Sequence, residues 1–452
     1  MKYDFKELMK NYETEAIKTL QSFVQIDSVY RGDTVAKNMP FGEGVYKALT
    51  FIGKVAEKDG FSVDYCDGYA TEISCGSGDK LIAIYAHADV VPVSGVWKHP
   101  AFSATIENDV MYGRGTGDDK GPGIAAYYAL KALRDAHLID GYKVTMVFGG
   151  NEENGSACLK YYFDELKKPY PTYGFTPDAD FPLIYGEKGI TNYLHQAQVD
   201  LFPVISINAG TASNVVIDTA EAIIAQDDKI EDELKKRKLN YSLQMEKDTM
   251  RLTIYGKSAH GSTPELGINA GLELIAFLGE YYDLAALKNL ASLYADPFGK
   301  AMNLYFESEN LHETTYNVGI IEYVDTVLRV TVNFRYPETV NGEEIVERIN
   351  EKTLVPTEII STSPYLYFDP ESPFIKALYQ VYVEETGDTV NKPMTIGGGT
   401  YAKESKNTIA FGAAFPGKDN LFHSPNEHFE LNDLRQSMAI YAHAIFKLGH
   451  EL

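Results

Sequence analysis

Five short clusters in this chain hold residue types able to bind a cation or move a proton: His87-Ala88-Asp89, Asp118-Asp119, Glu152-Glu153, Asp178-Ala179-Asp180 and His423. Residues two apart on an extended segment point to the same side, so Asp89 can hold one ring nitrogen of His87 and leave the other for a ligand role. Asp118-Asp119 lies in a glycine-rich stretch, 113–121, that lacks the Gly-Lys-Ser/Thr of a phosphate loop. Two carboxylates would also repel a pyrophosphate, so the pair suits a cation instead, one carboxylate bridging two divalent centres through its two oxygens. A solvated Gly/Asp turn is the plainer alternative. Glu152 and Glu153 can divide two tasks, Glu153 as ligand and Glu152 as the base that takes a proton from water, or can be merely solvated. Asp178 or Asp180 adds a carboxylate on a loop, and His423 adds a second imidazole from far along the chain. This N/O donor set has no thiolate beside it, which suits zinc, and also manganese or cobalt, in a hydrolytic two-metal site.

These clusters need a frame that brings them together. Residues 81–86 and 144–148 are short, almost wholly apolar runs, the pattern of parallel strands covered on both faces, and His87 and Glu152-Glu153 follow directly after them. Between the runs Ile124/Ala125, Tyr128/Ala129 and Ala132/Leu133 recur at helical spacing. Ligands in open α/β sheets bind beyond the carboxyl ends of the strands, where these clusters fall. After Gly189 the texture changes to a charge-dense stretch at 226–238, then strand and helix patterns suiting a smaller α+β layer. Ser372-Pro373 supplies an N-cap and a first-turn proline for a helix to about Glu385, which reads as a return to the first domain. The expected fold is α/β: a mostly parallel-sheet catalytic domain in two segments, 1–189 and 370–452, with an inserted α+β lid at 190–369.

The composition narrows the function. With 41 Lys+Arg against 64 Asp+Glu the net charge is −23, which repels nucleic-acid phosphates and anionic lipid. With 44% hydrophobic residues the chain can bury a full core. Three cysteines, Cys66, Cys75 and Cys158, match no zinc-finger spacing, and so sparse and odd a count suits the reducing cytoplasm. Charges within the first ten residues interrupt what would be a signal's apolar stretch and no window approaches the roughly 18 apolar residues of a membrane span, so neither export nor membrane spanning is expected.

The motifs together resemble the M20 metallopeptidase family, most of all its bacterial dipeptidase V branch. The matching stretches are 86–92 around His87, 113–122 around Asp118, 151–154, 177–182, 258–262 with 264–270, 397–401 and 423–427, in the family's order and over nearly the whole chain. The resemblance implies that His87 and Asp178 hold one metal, Glu153 and His423 the other, and that Asp118 bridges them with a cis peptide to Asp119. It makes Asp89 the partner of His87 and Glu152 the general acid/base that activates a metal-bridging water. It implies that His260 in the lid stabilises the oxyanion, and that Asn214, Arg335 and Thr400 hold the substrate carboxylate. The expected activity is hydrolysis of dipeptides with two divalent metals, zinc first, then manganese or cobalt, by a monomer whose long lid stands in for a partner subunit. The alternatives are an N-acyl amino acid amidohydrolase of the same fold and, from another class, an inactive metal-binding scaffold.

Overall fold

The computed structural model describes residues 3–452. The chain divides into two compact units, one of residues up to 185 with 368–394 and 400–452, the other of residues 186–367 with 395–399.

The first unit is built on a mixed sheet in the order Ser62–Asp64, Ala70–Gly76, Tyr142–Gly149, Lys80–His87, Tyr173–Thr176, Thr408–Ala410. The four strands from Tyr142–Gly149 to Thr408–Ala410 run parallel, and the first two pair antiparallel. The parallel strands are apolar on both faces because helices cover both. Lys120–Asp135 is buried along nearly its whole length and packs against Leu431–His450, with Lys80–His87 beneath both. Residues apolar all round a helix signal this sandwiched position rather than a surface one. Ser372 caps the helix Pro373–Thr386 and Gly387 ends it with φ 74°, the left-handed conformation that glycine adopts without steric cost. Four carboxyl strand ends therefore open on one edge, at Gly149, His87, Thr176 and Ala410.

The second unit is an antiparallel eight-stranded sheet in the order Tyr241–Glu246, Thr249–Tyr255, Thr219–Ala225, Val204–Ala209, Thr315–Val324, Val327–Tyr336, Gly189–Gln198, Thr357–Ser363. Its strands alternate: Met250, Leu252 and Ile254 are buried while their neighbours are half-exposed, as a sheet with one covered face requires. Helices Ala270–Tyr281 and Gly342–Asn350 supply that cover. The charge-dense stretch forms the helix Ile230–Arg237, which buries Ile230 and Leu234.

Residues 395–399 group with the second unit, whereas the sequence suggested an unbroken return to the first. The reason is local bonding: Ile396 O accepts from Lys188 N at 3.1 Å, Thr395 Oγ1 donates to Asn310 O at 2.8 Å, and Gly397 O accepts from Arg335 at 2.5 Å. Among the described residues no helix is long and apolar enough to cross a membrane.

Candidate metal centre

His87 is the last residue of its strand and is fully buried. Its Nδ1 donates to the main-chain oxygen of Asp89 at 2.9 Å, so the lone pair of the neutral ring sits on Nε2. That nitrogen looks at carboxylate oxygens, Asp118 Oδ1 at 2.9 Å and Asp178 Oδ2 at 3.7 Å. The partner of the ring is thus Asp89, through its main-chain oxygen and not its carboxylate. The carboxylate stands 3.6 Å from Nδ1 and its two oxygens instead accept the backbone N–H groups of Glu152 and Glu153, at 3.1 and 3.2 Å. Asp89 thus joins the end of one strand to the turn after the next, its carbonyl serving His87 and its carboxylate the two glutamates. Burial raises its carboxyl to about 6.

Asp118 lies between two imidazoles. Oδ1 meets His87 Nε2 at 2.9 Å and Oδ2 meets His423 Nε2 at 2.8 Å. His423 Nε2 also lies 3.1 Å from Glu153 Oε1, outside hydrogen-bond geometry, so that buried oxygen has no hydrogen-bond partner. The Asp118–Asp119 peptide is cis. Asp119 Oδ2 accepts the His87 N–H at 3.2 Å, while its buried Oδ1 has no hydrogen-bond partner among the described residues.

Ligand atoms of His87, Asp118 and Glu153 all lie within 4.8 Å of one another, and so do those of His87, Asp119 and Asp178. Carboxylates and imidazole lone pairs packed at this distance repel unless a cation sits among them, and the unpartnered oxygens of Glu153 and Asp119 are positions that a cation would satisfy. The donor set of imidazole nitrogens and carboxylate oxygens fits a divalent metal of the zinc, manganese or cobalt kind. Asp119 enters this group although the sequence favoured Asp118 alone of the pair. Asp180 lies in the two-residue strand Ala179–Asp180, outside both ligand groups. Burial and the charges of Glu153, Asp89 and Asp118 hold the Glu152 carboxyl well above the usual carboxylate range, against the opposing pull of His87.

Two buried charges that the sequence reading did not single out shape the loops. Glu427 Oε1 accepts from the N–H groups of Gly115 at 2.9 Å, Gly117 at 3.1 Å and Asp118 at 3.4 Å, and Oε2 pairs with Arg114 at 2.6 Å. Gly115, at φ 84°, lets the chain bend so that these N–H groups converge. Glu427 ends the motif that begins at His423, so one carboxylate ties the loop of Asp118 to the loop of His423. Lys120 Nζ donates to Phe23 O and Ile26 O, at 3.2 and 2.9 Å, capping the carbonyl end of the helix Glu13–Val24.

Thr400, in the first unit, caps the short turn Tyr401–Lys403 by accepting from Ala402 N at 3.1 Å. His260, Asn214 and Arg335 lie in the second unit. His260 and Asn214 are neighbours: Val215 bridges to His260, and Asn214 O accepts from Gly261 N at 2.7 Å. His260 Nδ1 accepts from Ser262 N at 3.3 Å and meets Ser262 Oγ at 2.6 Å, which puts the proton of the neutral ring on Nε2. Arg335 is buried, and among the described residues no carboxylate pairs with it; Nε donates to Asn333 Oδ1 and NH1 to Gly397 O, and burial lowers it to about 10.

Comparison with known proteins gives a consistent picture. The signature of peptidase family M20/M25/M40 matches residues 83–447. The chain is 35% identical to the putative dipeptidase YtjP of Bacillus subtilis over 454 residues, covering 96% of this chain and 97% of that one. It is 33% identical to a putative dipeptidase of Staphylococcus haemolyticus over 472 residues, covering 98% and 99%. Among solved structures, the dipeptidase Dug1p of Saccharomyces cerevisiae superposes with a TM-score of 0.62 at 14% identity, over 98% of each chain, a likeness of fold.

Proposed function

The chain belongs to peptidase family M20/M25/M40, and from that membership we propose that it is a metal-dependent dipeptidase whose metal site is the cluster around Asp118. The observation that carries this reading is the position of Asp118, one carboxylate oxygen on His87 and the other on His423. That is the arrangement a bridging ligand needs. In this reading His87 and Asp178 hold one divalent cation, Glu153 and His423 hold a second, and zinc is the first choice, with manganese or cobalt as alternatives. Bound there, the cations polarise the scissile carbonyl and lower the pKa of water.

The chain's own residues do the rest. Glu152 takes a proton from the attacking water and delivers it to the leaving nitrogen, so that the water oxygen bonds to the carbonyl carbon, the C–N bond breaks, and a carboxylate and an amine leave. Asp89 fixes the His87 ring and the backbone that carries Glu152. The second unit brings further candidates to this reaction, His260 to donate from Nε2 to the developing oxyanion and Arg335 with Asn214 to hold the substrate carboxylate, and Thr400 of the first unit is a candidate for contact with that carboxylate. A buried guanidinium with no carboxylate paired to it among the described residues supports that role of Arg335, because it favours an anion as partner. A monomer in the cytoplasm completes the reading; the three cysteines are free thiols, which fits a reducing compartment.

The test is amino-acid release from a panel of L-dipeptides, a tripeptide, β-alanyl-histidine and N-acetyl and N-succinyl amino acids, with chelator, zinc and manganese as separate arms. Metal-restored cleavage confined to dipeptides is expected. Cleavage of acylated amino acids alone replaces the substrate class, and metal binding without cleavage makes the chain a scaffold.

A further inference from the structure

The second unit holds a cavity of about 510 Å³, a size within the range of small-molecule sites. The helix Ala270–Tyr281 contributes Leu272, Glu273 and Ala276 to its wall, and the segment beyond the helix Ala285–Leu293 contributes Tyr294 and Phe298. Asn317, on the strand Thr315–Val324, completes it.

Two polar groups in this wall, the Glu273 carboxylate and the side-chain oxygen of Asn317, have no hydrogen-bond partner among the described residues. The Glu273 carboxylate is half-buried, and among the described residues no hydrogen bond or ion pair reaches it; burial alone raises its carboxyl. Asn317 is 1% exposed. Its Nδ2 donates to Ser213 O at 2.7 Å and Val215 O at 3.0 Å, which fixes the orientation of the amide, and its Oδ1 has no hydrogen-bond partner. A buried acceptor left unmade is unfavourable, and a donor-bearing ligand would remove that cost. The hydroxyl of Tyr294 is already engaged with Tyr193 and His195, so this residue offers a ring rather than a polar group. No lysine, arginine or histidine among the described residues lines the cavity.

Acceptors, the carboxylates of Glu273 and of the exposed Glu265, aromatic surface and no cation define one ligand chemistry. We infer that this cavity is a binding site for a small organic ammonium, a primary amine on an apolar body. The ammonium sits against Glu273 and Asn317 Oδ1, and the body packs on Leu272, Ala276 and Phe298. A free amino acid fits poorly, because its carboxylate would enter a site that already carries negative charge and, among the described residues, has no cationic side chain to meet it.

The test is calorimetric titration of the full metal-loaded chain at pH 7 with 2-phenylethylammonium, 2-phenylethanol and phenylacetate. The amine is expected to bind about tenfold or more tightly than the alcohol, and phenylacetate not measurably, because a site built around acceptors rejects a ligand without the matching donor. Glu273→Gln is expected to cut the preference for amine over alcohol severalfold, leaving only what the exposed Glu265 contributes, and Ala276→Phe, which fills the cavity, to abolish binding of both. Equal affinity for amine and alcohol, unchanged binding in Glu273→Gln, or no binding by any probe overturns the assignment. Should Ala276→Phe fail to fold, Glu273→Gln decides alone, since its side chain is half-exposed and the change removes a charge while keeping the shape.

Discussion

Arg114 and Glu427, 313 positions apart in the chain, meet at 2.6 Å with both side chains about 1% exposed. The same carboxylate gathers three backbone N–H groups from the loop that ends in Asp118. Glu427 therefore ties the loop of Asp118 to the loop of His423 without bonding either imidazole. Substituting Glu427 by Gln keeps an acceptor oxygen for the N–H groups but leaves Arg114 without its counter-charge. Groups that orient metal ligands from behind typically contribute about 10- to 100-fold in metal affinity, so Glu427→Gln is expected to weaken metal binding by at least about tenfold. Competition against a fluorescent zinc chelator measures it. Unchanged affinity would mean that the two loops hold their positions without this carboxylate.

In the proposed mechanism Glu152 separates metal binding from catalysis. It is the one acid of the Glu152-Glu153 pair outside both ligand groups, and its backbone N–H is held by Asp89. Glu152→Ala is expected to keep the metal content of the wild type and to lower turnover by about 100-fold or more, the usual contribution of a general base. Metal analysis and kcat on the same preparation check it; turnover near the wild-type level would assign the proton transfer to another group.

Gly149, the last residue of the strand that leads to the Glu152 turn, has no room for a methyl group: a Cβ there would lie 2.1 Å from Tyr401 Oη and 3.0 Å from Cys158 Sγ. Gly149→Ala is expected to destabilise the protein by about 1–3 kcal/mol, the typical cost of overpacking. Tyr401→Phe removes the closest of these atoms and should recover part of that loss in the double variant, a non-additivity readable from thermal midpoints. Additive losses would show that the backbone, not the hydroxyl, takes up the strain.

The legible part of this site is the part written in consecutive residues. Apolar runs at 81–86 and 144–148 signal covered parallel strands, and the polar types directly after them, His87 and Glu152-Glu153, stand at strand ends for that reason. The helix begun by Ser372-Pro373 is legible too, since a cap and a first-turn proline act within one turn. What pattern could not reveal depends on residues distant in the chain. The task of Glu427 exists only because amides 310 positions away converge on it. The His87 ring bonds a carbonyl rather than the carboxylate of the same residue, Asp89, a choice invisible in residue type. The antiparallel edge formed by Ser62–Asp64 and Ala70–Gly76, and the pairing of 395–399 with the second unit, follow from hydrogen bonds that no local periodicity encodes.

His195 gives the second unit a pH dependence of its own. The ring is fully buried, Nδ1 donates to Val355 O at 3.1 Å, Nε2 accepts from the Tyr294 hydroxyl at 2.6 Å, and Tyr294 in turn pairs with Tyr193 at 2.8 Å. Both nitrogens are committed to a neutral ring, and burial lowers its pKa from 6.5 to about 4. The unfolded chain therefore binds a proton that the folded chain refuses between those two values, and stability rises with pH across the window. The contribution is fully present above about 6.5 and is lost as pH falls toward 4, by about 3 kcal/mol from the size of the shift. His195→Gln, which cannot titrate, should cost stability at pH 7 through its imperfect hydrogen bonds yet fall less steeply on acidification. Denaturant midpoints of both proteins between pH 7 and 4 measure the difference in slope. Parallel curves would mean that the buried ring takes up its proton as readily folded as unfolded, and that Tyr294 can turn its hydroxyl to accept it.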